Sequence, residues 1–98
     1  MPSRKEVVEI LKEIRYFSGR KKELVKNIND LSSLKVTKKM EEIEEILSNG
    51  SIKLYDVYLQ LYIEGSSQEG AAYSMGYTPT HMQRLNSQLI TYLAKNLK

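Results

Sequence analysis

The side chains in this sequence best suited to chemistry lie in one short run: Thr80, Gln83, Arg84 and Ser87. Their spacing puts them on one face of a helix, while Met82, Leu85 and Leu89 fall on the opposite face. Arginine bonds both acceptors on a guanine edge and glutamine pairs similarly with adenine, each contact contributing roughly 1 to 3 kcal/mol of discrimination. Such a ridge suits base reading in a major groove, with Thr80 as a short-range contact near the helix start. Ser67 and Thr78 stand at two helix starts, where a hydroxyl caps free amides and the positive end of the dipole also favours a phosphate. A plainer reading stands beside each: a solvent-facing or phosphate-only arginine, a solvated glutamine, and hydroxyls that only cap.

For that ridge to exist, the stretch from Gly65 to Leu93 must fold as helix, tight turn, helix. Ser67 caps a short first helix whose inward residues are Ala71, Ala72 and Met75, and Gly76 supplies the positive φ that closes it. Thr78 and Pro79 open the second helix, since the proline ring suits the first helical position and its missing N–H costs nothing there. Upstream, Ser51 caps a helix that carries Leu54, Val57, Tyr58, Leu61 and Tyr62 inward and ends at Gly65. At spacings of three and four, Tyr55, Tyr58 and Tyr62 form a core stripe rather than a platform for stacking bases. Before that, Thr37 caps a helix running through Ser48, with Met40, Ile43 and Leu47 on its apolar face. Asn49 and Gly50 stop it, both being residues that tolerate a left-handed conformation.

The N-terminal third carries a different pattern. Val7, Ile10, Ile14, Phe17, Lys21, Leu24, Ile28 and Leu31 alternate by three and four, the a and d positions of successive heptads. This predicts a single long helix from Ser3 to about Leu31, on the order of 40 Å in length. A stripe that long needs a partner to keep it dry. The expected fold class is therefore all-α. Residues 1–48 form a coiled-coil-prone long helix or helical hairpin for oligomerisation, and residues 51–98 form a helix-turn-helix domain.

Composition narrows the function. The chain has 98 residues, enough for one small core with a helical extension, and no cysteine, so neither disulfides nor thiolate metal sites are available. Arg4, Lys5, Glu6 and Glu9 interrupt any apolar leader, and no run approaches the ~20 apolar residues of a membrane span. These features predict a cytoplasmic protein without membrane contact. The net charge of +3 is unevenly spread, for residues 1–40 hold eleven of the fifteen basic residues and residues 70–98 hold Arg84, Lys95, Lys98 and no acid. An acid-free surface approaches a phosphate backbone without like-charge repulsion. Arg20, Lys21 and Lys22 could touch DNA flanks or simply face solvent. His81 reads as a boundary residue, because no second metal-type ligand lies nearby. With one histidine, no phosphate-cradling loop and an unpartnered glutamate cluster at Glu41, Glu42, Glu44 and Glu45, neither an enzyme nor a cofactor is expected.

Over residues 54 to 97, the chain resembles region 4 of bacterial sigma factors and, more closely, the small phage and prophage transcription regulators of the ArpU and RinA type. The resemblance is carried by Tyr62, Ile63, Glu64, Gly65, Ser67, Glu69, Ala72, Met75, Gly76, Tyr77, Thr78, Met82, Arg84, Leu85, Leu89 and Leu93. The chain departs from that pattern at Gly70, where a glycine costs a helix about 1 kcal/mol relative to alanine, and at Ala71, where a larger aliphatic is usual. The resemblance implies a sequence-specific, double-stranded DNA-binding regulator of phage or mobile-element genes. It would act as a dimer or higher oligomer through its N-terminal helices and read half-sites about 34 Å apart. Two alternatives remain: a protein-interaction module that binds RNA polymerase or another phage protein, and a DNA-recognition protein like the small subunit of a phage terminase.

Overall fold

Ser3 starts the first helix through a reciprocal pair of bonds. Its hydroxyl accepts from the Glu6 amide and its amide donates to the Glu6 carboxylate, each at 3.2 Å, which satisfies two groups that a helix start otherwise leaves free. The structure is a computed structural model that describes residues 2–19 and 31–98. Its helices are α1 (Arg4–Gly19), α2 (Leu31–Ser48), α3 (Ile52–Tyr58), α4 (Gln68–Met75) and α5 (Pro79–Asn96), and α3 continues into a π-helical turn over Leu59–Ile63. The fold is all-helical, with no strand among the described residues. None of the described helices is long and apolar enough to cross a membrane.

A long N-terminal helix is present, described as α1 from Arg4 to Gly19, and α2, described from Leu31, packs against it. The heptad positions Lys21, Leu24 and Ile28 lie outside the described residues. Within α1 the fully buried face is Val7, Leu11 and Ile14, while Ile10 and Phe17 lie at its half-buried margin. Steps of four and three are those of a heptad stripe, and here the stripe faces the chain's own core. One correction is needed here, for Thr37 does not cap α2 but lies within it. Val36, Met40, Ile43 and Leu47 make one apolar row that passes Thr37 on both sides, and packing along that row outweighs threonine's weak helix preference.

One hydrophobic core joins all five helices. Val7, Leu11 and Ile14 of α1 and Ile43 and Leu47 of α2 meet Leu54, Val57, Tyr58 and Leu61, together with Met82, Leu85, Leu89 and Leu93 of α5. The α1 stripe is thus covered by the chain's own helices. At the far end the Lys98 amide donates to the Glu42 carboxylate at 3.1 Å, and Leu97 is buried in the same core.

The turn between α2 and α3 follows the sequence in position but not in conformation. Ser51 caps α3, its hydroxyl accepting from the Leu54 amide at 3.2 Å. Among the described glycines only Gly65 and Gly76 have positive φ, so Gly50 is not there for a left-handed stop. It is there for space, because a Cβ on Gly50 would lie 1.8 Å from the Tyr92 hydroxyl oxygen and 3.2 Å from the Ile46 carbonyl. Gly50→Ala is expected to displace the Tyr92 ring and destabilise the protein by about 1 to 3 kcal/mol, the range for overpacking. In a Tyr92→Ala background the same change should cost much less. Equal losses of urea midpoint in both backgrounds would rule this account out.

Candidate nucleic-acid interface

The two helices that frame the candidate site are fixed at both ends by local chemistry. The Ser67 hydroxyl accepts from the Gly70 amide at 3.0 Å and opens α4. Gly70 itself leaves room for that cap, since a Cβ there would sit 3.2 Å from the Ser67 oxygen. Gly76 closes α4 at φ 73°, and the Tyr77 amide then reaches back to the Ala72 carbonyl at 2.8 Å. This left-handed closure is one that residues with a Cβ adopt only at a cost of roughly 1 to 2 kcal/mol. Two residues later the Thr78 hydroxyl accepts from the His81 amide at 3.1 Å, and Pro79 begins α5.

Packing then sets which face of α5 looks outward. Ala71 and Ala72 are buried under α5, as are Met82, Leu85, Leu89, Ile90 and Leu93 on α5 itself. Opposite them Thr80, Gln83, Arg84 and Ser87 are all exposed, and they share one side of the helix. The same strip continues through Gln88 and Lys95, which are exposed, and Thr91, which is half-buried. Thr78 stands at the start of this strip. Ser67 does not belong to it, since it lies at the start of α4, and both hydroxyls are engaged as caps.

One polar contact holds α5 from the protein side, and a second ties α1 to the loop before α4. The Tyr62 hydroxyl of the π turn donates to the Asn86 side-chain oxygen at 2.5 Å. Burial raises the Tyr62 pKa, offset in part by the Asn86 amide and the nearby Arg15 charge, so the hydroxyl keeps its proton at neutral pH. Arg15 in turn donates to the Gly65 carbonyl at 3.0 Å, tying α1 to the loop that leads into α4. His81 lies edge-on to Tyr77, ring centres 4.8 Å apart, and the Lys53 ammonium sits 5.6 Å from the Tyr77 ring centre. Tyr55, Tyr58 and Tyr62 stack obliquely along α3 and the π turn, with 6.4 Å between successive rings.

A third contact was not foreseen. Arg4, at the start of α1, lays its guanidinium along the outward face of α5. Nη1 donates to the Ser87 carbonyl at 3.2 Å and to the Thr91 hydroxyl, and Nη2 donates to the Ser87 hydroxyl at 3.1 Å. Ser87 is exposed, yet its hydroxyl oxygen and its carbonyl both serve Arg4. No local pattern could have revealed this, because the partners are 83 and 87 positions apart. By contrast, extending the three-and-four spacing beyond Ser87 would have found Gln88, Thr91 and Lys95. The basic run Arg20, Lys21 and Lys22 lies outside the described residues.

Chemically, the strip offers hydrogen-bond donors and acceptors in a row, two cations on α5 and no carboxylate on that helix. Comparison of the chain with family models, with curated proteins and with solved structures gives no match.

Proposed function

We propose that the chain is a sequence-specific double-stranded DNA-binding regulator that places α5 in a major groove, as the resemblance to phage and prophage regulators suggests. The observation that supports this most is the joint exposure of Thr80, Gln83 and Arg84 on a helix held rigidly from behind. Side chains on a packed helix reach base edges from fixed positions, which is what discrimination between bases requires. Absence of acid from residues 70–98 lets that face meet phosphates without repulsion.

Selection from a random duplex pool followed by gel shifts tests the proposal. A defined sequence should be recovered, and Arg84→Ala should weaken binding to it by roughly ten- to a hundredfold, the equivalent of about 1 to 3 kcal/mol, with a smaller loss on scrambled duplex. No enrichment at low salt, or equal losses on both duplexes, would count against base reading. One observation favours a second reading, a protein-interaction module: Tyr73 stands 89% exposed on α4, an aromatic surface of the kind enriched at protein contacts. The two readings separate on salt, since a duplex binder that neutralises several phosphates weakens steeply as salt rises.

A further inference from the structure

Among the described residues, Arg4 is the one cation bonded from a distant part of the chain to the outward strip of α5. Its guanidinium has five N–H groups, of which three are committed to Ser87 and Thr91. The other two have no partner among the described residues and are open to a ligand. Because those three bonds all go to one helix, the side chain is ordered in advance, and the entropy of fixing a long arginine is not charged to binding. Seated between Ser87 and Thr91, the guanidinium lies about 8 Å along the axis from Arg84 and about 9 Å from Lys95, at 1.5 Å per residue. The result is a row of three positive charges on a helix without acids. Glu6, on the same turn of α1, has its carboxylate turned back to accept from the Ser3 amide.

We propose that Arg4 is the middle member of this row, and that Arg4 and Lys95 grip the phosphates of a DNA strand along α5 while Arg84 faces the bases. The proposal rests on the duplex-binding reading above and adds to it a residue from the N-terminal helix. It also reassigns Ser87. With both of its oxygens accepting from Arg4, Ser87 is the seat of a phosphate contact, and base reading falls to Thr80, Gln83 and Arg84. A guanidinium with free N–H groups fits a phosphate better than an ammonium does, since its fork matches two oxygens at once.

Fluorescence anisotropy with the intact chain, a selected duplex and a scrambled duplex, over a series of salt concentrations, decides the matter. Arg4→Ala should weaken binding to both duplexes by the same factor and lower the slope of log K against log salt by about 1, the signature of one lost phosphate contact. Arg4→Lys should keep the slope, and it carries the test should Arg4→Ala prove unfolded by circular dichroism. Ser87→Ala should weaken binding in the parent but change nothing further in the Arg4→Ala background. An unchanged slope in folded Arg4→Ala, or a loss confined to the selected duplex, would overturn the proposal. Should the unaltered protein bind neither duplex, the underlying DNA reading fails as well. That failure appears before any variant is made, so the two cannot be confused.

Discussion

Leu11→Ala is expected to lower the unfolding free energy by about 2 to 5 kcal/mol, the range for truncating a buried leucine. For a chain of this size, with a typical stability of about 5 to 15 kcal/mol, that is a large share of the whole. Leu11 is 1% exposed and lies between Val7 and Ile14, in the core that also holds Tyr58 and Leu89. The loss should therefore be felt across the molecule. Helical circular dichroism and tyrosine emission, which reports mainly on residues 55–92, should move together to a lower urea midpoint in one transition. Two separate transitions, with the tyrosine signal unmoved, would show that α1 and the C-terminal helices fold independently.

The second large effect concerns alkali. Tyr58 is fully buried, and its hydroxyl has no hydrogen-bond partner among the described residues. Burial, aided by the Glu44 charge and by Tyr55, pushes its pKa well above the ordinary tyrosine value of about 10. Above pH 10 the unfolded chain has released this proton and the folded chain has not. Stability must therefore be complete below that pH and fall as pH rises through it, by at most about 1.4 kcal/mol per unit for this one group. Tyr62, raised in the same direction, adds to the slope. Tyr58→Phe removes both the ionisation and a buried polar atom without a partner. It should hold or raise stability at pH 7, by up to about 1 kcal/mol, and move the alkaline unfolding midpoint to higher pH. A drop at pH 7 of more than 1 kcal/mol, or an alkaline midpoint identical to the parent's, would contradict the burial argument.

The parts of this fold that could be read directly from sequence are those whose causes are local. Ser51, Ser67 and Thr78 cap the helices expected of them, Gly76 is left-handed and Pro79 opens α5. In each case the residue and its partner lie within four positions. The outward placement of Thr80, Gln83, Arg84 and Ser87 was legible for the same reason, since a hundred-degree step fixes which residues share a side once Met82, Leu85 and Leu89 are buried. Less was legible where the cause is tertiary. Periodicity in residues 7–17 shows that α1 has a face to cover but not that α5 and the π turn cover it. Thr37 looked like a start because nothing in Leu31 to Val36 announces a helix, and only the row from Val36 to Leu47 explains why one forms. Gly50 was correctly placed at a turn for the wrong reason, since its close neighbour Tyr92 is forty-two positions away. Arg4 was invisible as a site residue on every local criterion.

The widened turn at Leu59–Ile63, where the Glu64 amide bonds the carbonyl five residues back at 2.8 Å, has a consequence for chain length. It stores one residue beyond what a regular helix would use, and each residue of α-helix advances about 100° and 1.5 Å. Deleting one residue within Leu59–Ile63 would let the segment wind regularly and leave Gly65 close to its present place beside Arg15, whereas the same deletion in a regular helix turns everything beyond it by about 100°. The wide turn is thus a place where the chain can give up a residue without swinging α4 and α5 against α1.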